Sequence, residues 1–263
     1  MNELHNAPAV VITGASSGIG REIARLAAAD GCALLLVGRS QPALQELAQE
    51  LGALGVPVHV LSIDLQDENA LAQIQALLSA QRLYCDVLVN SAGFGIFGTV
   101  AEADSSLQLQ LVDVNIKAVV ALTLGFLPGM IARGRGGIIN IGSITGYAPG
   151  PYMACYCASK AFIRSFSSAL SAEVSGTGVT VTCLTAGVVR TAFFERKPMR
   201  ESRLTKILPR GNVGHAARVA WSAFKSGRSF VVPRLIDRSI IRLCWLIPDR
   251  ILARLVLALQ RAP

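Results

Sequence analysis

The chain has 263 residues, 52% hydrophobic and only 16% charged, which suffices for one large core, is short for two full domains, and argues against disorder. Six cysteines (32, 85, 155, 157, 183, 244) without zinc-ligand or CxxC spacing and three scattered histidines (His5, His59, His215) argue against a bound metal; most of the cysteines read as small core residues. The formal charge of +8 lies in the C-terminal third, without aromatic-basic interleaving or a recognised nucleic-acid motif, so an anionic substrate, carrier or lipid surface suits it better than nucleic acid.

In chain order, short β-branched runs alternate with longer amphipathic ones. Strands are expected at 9–13, 33–37, 57–62, 86–90, 137–142, 179–184 and 229–232, and helices at 18–30, 40–53, 67–80, 104–132, 154–174 and 214–225. This rhythm predicts an α/β, doubly wound, three-layer sandwich around a parallel sheet. The first strand begins almost at once, leaving no leader with an apolar stretch and a cleavage site, so a cytoplasmic protein is expected. Pro128 should bend or end the helix 104–132. The stretch 192–212 breaks the rhythm with Pro198, Pro209 and a basic run, and is read as a flap over substrate within a catalytic domain 1–235. Residues 236–263 form an apolar, arginine-bearing helical tail interrupted by Pro248. It suits either a peripheral contact with lipid at the inner face of a membrane or packing on the protein itself or a partner subunit. No uncharged run in it approaches the roughly 18–20 residues of a membrane span.

The first strand runs into Thr13-Gly14-Ala15-Ser16-Ser17-Gly18-Ile19-Gly20. Glycines where a strand turns into a helix let the backbone approach a dinucleotide pyrophosphate, whose charge the helix N-terminus favours. The second strand ends in Arg39-Ser40 with no acidic residue to hold ribose hydroxyls, a combination that can receive a 2′-phosphate, so NADP(H) is favoured over NAD. Asp64-Leu65 can meet the adenine, and Asn90-Ser91-Ala92-Gly93 offers backbone along the cofactor.

The chemistry lies further on. Tyr156 and Lys160 are four apart and share a helix face. A free tyrosine has a pKa near 10, and a neighbouring ammonium, with the positive nicotinamide of the oxidised cofactor, is expected to lower it into use as an acid-base group. Ser143, after the fifth strand, can hydrogen-bond a substrate oxygen. Asn115 can hold a helix irregularity or a water linking Lys160 to solvent. Hydride transfer to a carbonyl carbon, with a proton from Tyr156 to its oxygen, is the reaction these groups fit.

Together Thr13-Gly14-x3-Gly18-x-Gly20, Asn90-Ser91-Ala92-Gly93, Asn115, Ser143, Tyr156-x3-Lys160 and Ala186-Gly187-x3-Thr191 resemble the short-chain dehydrogenase/reductase family over about residues 8–235. The resemblance implies a seven-stranded sheet in the order 3-2-1-4-5-6-7, a tetrad of Asn115, Ser143, Tyr156 and Lys160, and a homodimer or homotetramer. It also implies that Gly187, Val188 and Thr191 lie near the nicotinamide. The family usually has asparagine where Ser91 stands and proline where Ala186 stands; neither change touches the tetrad. Tyr147, Tyr152, Phe193 and Phe194 are the expected substrate pocket with Ser143, and with the basic flap they suggest a lipophilic or acyl-type ketone or aldehyde. An NADP-dependent dehydrogenase of small alcohols or polyols is the alternative enzyme, and an NADPH-binding scaffold without turnover the alternative outside catalysis.

Overall fold

The computed structural model describes residues 6–189 and 210–260. Strands β1 (Ala7–Thr13), β2 (Ala33–Gly38), β3 (Val58–Ser62), β4 (Leu83–Asn90), β5 (Gly136–Ser143), β6 (Val179–Ala186) and β7 (Phe230–Val231) form one parallel sheet in the order β3-β2-β1-β4-β5-β6-β7. Buried on both faces, the central strands are predominantly apolar, and their side chains alternate between two cores. Val10, Ile12, Leu34 and Leu36 face α1 (Gly18–Ala29) and α2 (Gln41–Gly52). Ala9, Val11, Leu35 and Val37 face the opposite layer, where α3 (Ala70–Ala80) supplies Ile74 and Leu78.

The expected helix 104–132 is continuous but not uniform. It runs as α4 (Ser105–Val112), a π-helical turn Asp113–Lys117 containing Asn115, and α5 (Ala118–Arg133). Asp104 caps its start by accepting from the Ser106 and Leu107 amides. Pro128 does not end it. The helix continues to Arg133, and the missing Pro128 N–H frees only the carbonyl of Leu124, a residue on the solvent side. Although Ser105–Arg133 is long and apolar enough to cross a membrane, Leu122, Phe126 and Met130 on it belong to the core.

A 3₁₀ turn, Ile144–Tyr147, follows β5 and leads towards α6 (Ala154–Glu173), the helix that carries Tyr156 and Lys160. After β6, Gly211 bridges to Val189, its N–H donating to the Val188 carbonyl (2.7 Å). Helix α7 (Val213–Lys225) then packs on α1. Most of the expected flap, with Thr191, Phe193 and Phe194, lies outside the described residues.

The tail is two helices, α8 (Leu235–Leu246) and α9 (Asp249–Gln260), separated at Ile247-Pro248. Its first turn is fixed to the body by a forked ion pair: Arg234 Nε and Nη2 reach the fully buried Asp237 carboxylate at 2.7 and 2.6 Å. That pair fills the space beside Gly187, where any side chain would collide with both partners. Helix α8 packs against the Ile144–Tyr147 turn, and α9 buries Leu252 and Gln260, the latter with Nε2 3.8 Å from Met153 Sδ.

Candidate active site

The C-terminal ends of β1, β2, β4, β5 and β6 open onto a cleft of about 290 Å³. At its floor, Gly14 has φ +66°, and a Cβ there would lie 2.8 Å from Ala92 backbone; one at Gly20 would lie 2.7 Å from the Gly14 carbonyl. The β1–α1 turn therefore sits tight against the end of β4, held by Thr13 Oγ1, which accepts from the Ser91 and Ala92 amides at 3.1 and 3.2 Å. Ser17, the N-cap of α1, makes no side-chain capping bond, and the first turn of α1 holds no acid. Open amides, a helix N-terminus and no competing negative charge fit a pyrophosphate.

Next along the cleft stand Arg39 and Ser40. The Arg39 side chain is 58% exposed and its guanidinium lies 3.8 Å from the Asp64 carboxylate, a loose pair in water. Ser40 likewise makes no capping bond with its hydroxyl. Gly38, Ile63 and Leu65 complete this end.

At the other end Ser143, Tyr156 and Lys160 converge. The Tyr156 phenol is buried and hydrogen-bonds with Ser143 and Thr145. Ser143 Oγ itself accepts from the Thr145 amide at 3.2 Å and lies 3.0 Å from Thr145 Oγ1. Lys160 Nζ donates to the Ile141 carbonyl at 2.9 Å and stands 5.8 Å from the Tyr156 ring centroid. Burial lowers the Lys160 ammonium to about 8, and burial also pushes the Tyr156 phenol above its ordinary value against the pull of Ser143 and Thr145. Among the protein's own groups desolvation outweighs the opposing influences at Tyr156, so the expected downward shift rests on the positive nicotinamide of the oxidised cofactor.

Asn115 stands behind this cluster rather than in the cleft. Its Oδ1 accepts from the Phe94 amide (3.1 Å), and its Nδ2 donates to the Phe94 carbonyl (3.0 Å) and Ser159 Oγ (3.1 Å). The expected helix irregularity is present, and its side chain clamps the β4 loop against α6. Gly93 lies between Asn115 and Lys160; a Cβ there would sit 2.9 Å from Asn115 Oδ1 and 3.9 Å from Lys160 Nζ.

Of the expected site residues, Gly14, Ser16, Ser17, Gly18, Ile19, Arg39, Ser40, Asp64, Leu65, Ala92, Gly93, Ser143, Tyr156, Lys160 and Gly187 line the cleft. Gly20 lies beneath it, Val188 is buried, and Asn90 is turned into the core with Nδ2 2.9 Å from Asn140 Oδ1. The two pocket tyrosines do not line it. Tyr147 places its ring under the Arg164 guanidinium (4.8 Å), and Tyr152, at φ +65°, stacks on Phe97 with centroids 5.5 Å apart. Phe94, Ile141 and Val189 line the cleft without having been singled out. Thr145 was also missed, although a hydroxyl two residues beyond Ser143 was its only available signal.

The sequence of residues 8–202 matches the family model described as short chain dehydrogenase. The chain belongs to the short-chain dehydrogenase/reductase family. Among its relatives, dehydrogenase/reductase SDR family member 7B of Danio rerio is 38% identical over 189 residues, covering 69% of this chain and 61% of that protein. The chain thus matches about three fifths of the length of such relatives. Sulfoacetaldehyde reductase 2 of Chromohalobacter salexigens is 39% identical over 186 residues, covering 70% of this chain and 73% of that one. A solved short-chain dehydrogenase from Sphingobium yanoikuyae, in complex with NADPH, superposes with a TM-score of 0.79 at 30% identity, covering 92% of this chain and 97% of that one. The family fold binds a nicotinamide cofactor, and the cleft residues fit one.

Proposed function

We propose that the protein reduces a ketone or aldehyde to an alcohol with NADPH. The observation that carries this reading is the meeting of Ser143, Tyr156 and Lys160 at one end of a cleft whose other end presents Arg39 and Ser40, with no acid at the end of β2 and only the loosely paired Asp64 nearby. In this reading Gly14, Ser17 and Gly18 receive the pyrophosphate, and Arg39 with Ser40 the 2′-phosphate. Bound NADPH supplies the hydride. Ser143 Oγ orients the carbonyl oxygen, and Tyr156 gives that oxygen its phenolic proton as charge develops on it. Lys160 keeps a positive charge beside the phenol below a pH of about 8, which eases the transient phenolate.

A lipophilic or acyl-type carbonyl is supported by the apolar cluster around Tyr156, formed by Leu111, Met153 and Cys157 with Phe94, Ile96 and Phe97 against it. A small anionic aldehyde is the second reading, favoured by the likeness to the sulfoacetaldehyde reductase. Following nicotinamide absorbance over carbonyls graded by chain length and charge separates them. Turnover rising with chain length supports the first; turnover confined to short anionic aldehydes overturns it; NADPH binding without any turnover overturns both. The exposed apolar side chains Leu109, Val112 and Leu124 on α4–α5 support a homodimer or homotetramer, which sedimentation velocity tests.

The phosphate assignment makes its own prediction. Arg39→Ala should raise the KM for NADPH roughly 10- to 100-fold, the worth of a charge-assisted contact, and leave that for NADH nearly unchanged. Equal effects on both cofactors would remove Arg39 from the phosphate site.

A further inference from the structure

Among the described residues, helix α9 buries only part of its apolar surface. Leu252 and Gln260 turn inward. Ile251, Leu255 and Leu259, spaced i, i+4, i+8, form a second stripe about half exposed, with Arg250 and Arg254 one residue before its first two members. Helix α8 ends in the same manner: Leu243, Trp245 (73% exposed) and Leu246 (80% exposed) stand outward beside Arg238 and Arg242. The charges here do not cancel. Asp237 is buried and neutralised by Arg234, which leaves four exposed arginines facing Asp249 alone.

We infer that the outer face of α8–α9 docks the protein onto an anionic lipid surface. Apolar side chains at the acyl boundary, arginines at the headgroups and a tryptophan between them are what such a face requires. The charge also decides against the main competitor. A two-fold contact with a second copy brings identical patches together and would set these arginines against their own equivalents. The exposed apolar side chains of α4–α5 have Asp104, Asp113 and Lys117 near them in sequence and no such cationic excess, so self-association fits there instead. Docking also has a consequence for substrate. Because α8 packs on the turn after Ser143 and α9 ends on Met153, the bilayer would lie on the substrate side, ready to deliver a lipid-soluble carbonyl. That last step rests on the proposed reduction; the docking does not.

Flotation of the full chain with vesicles tests it. The protein should rise with vesicles of phosphatidylcholine plus phosphatidylglycerol, stay behind with phosphatidylcholine alone, and be released by salt. Arg250→Gln with Arg254→Gln should weaken binding about 25-fold, near fivefold for each surface arginine, with turnover of a water-soluble carbonyl and the thermal midpoint unchanged. Trp245 should shift its emission to the blue on binding, while Trp221, buried in the core, should not respond. Absence from the anionic vesicles, or equal flotation with neutral ones, would overturn the inference. So would an oligomer that Leu246→Ser with Leu255→Ser dissociates, since the face would then hold a second copy.

Discussion

Tyr156→Phe should lower kcat for carbonyl reduction by roughly 10²–10⁴-fold, the usual contribution of a positioned acid, while NADPH binds as before. The substitution removes one oxygen and nothing else. The ring stays in its contacts with Leu111, Met153 and Cys157, and Ser143 and Thr145, both half-buried, remain bonded to each other at 3.0 Å, so neither hydroxyl is stranded. Stability should therefore hardly move, and the thermal midpoint of the variant serves as the control. Single-turnover rates with bound NADPH are the proper measurement, because they separate proton and hydride transfer from product release. An unchanged rate would show that another donor, with Ser143 or Thr145 the nearest, protonates the substrate oxygen. It would remove the assignment of Tyr156 without disturbing the cofactor site.

Why so much of this was readable in the sequence follows from how locally it is encoded. The strands announce themselves because a parallel sheet covered on both faces needs continuous Val, Ile and Leu, as in Val10-Val11-Ile12 and Leu34-Leu35-Leu36-Val37. Tyr156 and Lys160 meet because one helical turn separates them, and Gly14 is dictated by a left-handed φ and a neighbour at 2.8 Å. What was not readable depends on contacts between distant segments. Nothing in the neighbourhood of Asn90 says that it will turn inward to Asn140. Nothing near Tyr147 says that its ring will go to Arg164 instead of the cleft. The tail is the clearest case. Its composition shows an amphipathic pair broken at Pro248, but the return of Gln260 to Met153, across 107 positions of sequence, is a packing outcome that no local pattern encodes. Burial likewise escaped. The sequence places an ammonium near a phenol but does not show how thoroughly the protein removes both groups from water, which raises the phenol and lowers the ammonium before any cofactor charge is added.

That desolvation can be measured directly at Lys160. Its ammonium has an ordinary pKa of 10.5 in the unfolded chain and about 8 in the folded one. Between those values the unfolded state binds more protons, so Lys160 makes stability increase with pH, by roughly 1.4 kcal/mol per pH unit at most. Below about pH 8 the cost of burying the charge is present in full; it is lost as pH rises towards 10.5. Other groups act in the opposite sense. Cys32, Cys85, Cys157, Cys183 and Cys244 are all raised by burial and Tyr156 is raised as well, so each removes stability once its unfolded form ionises. The signal is therefore the difference between the protein and Lys160→Met, in which those contributions largely cancel. Urea unfolding from pH 7 to 10 should show the native chain gaining on the variant by a few kcal/mol, nearly all of it above pH 8. A flat difference would mean that Lys160 keeps an ordinary pKa, with water reaching its ammonium as freely as in the unfolded chain. The same comparison bears on catalysis, since a charge that is lost near pH 8 should also take with it the support Lys160 gives to the Tyr156 phenolate. Reduction by the native protein should then decline above that pH, in step with the stability difference.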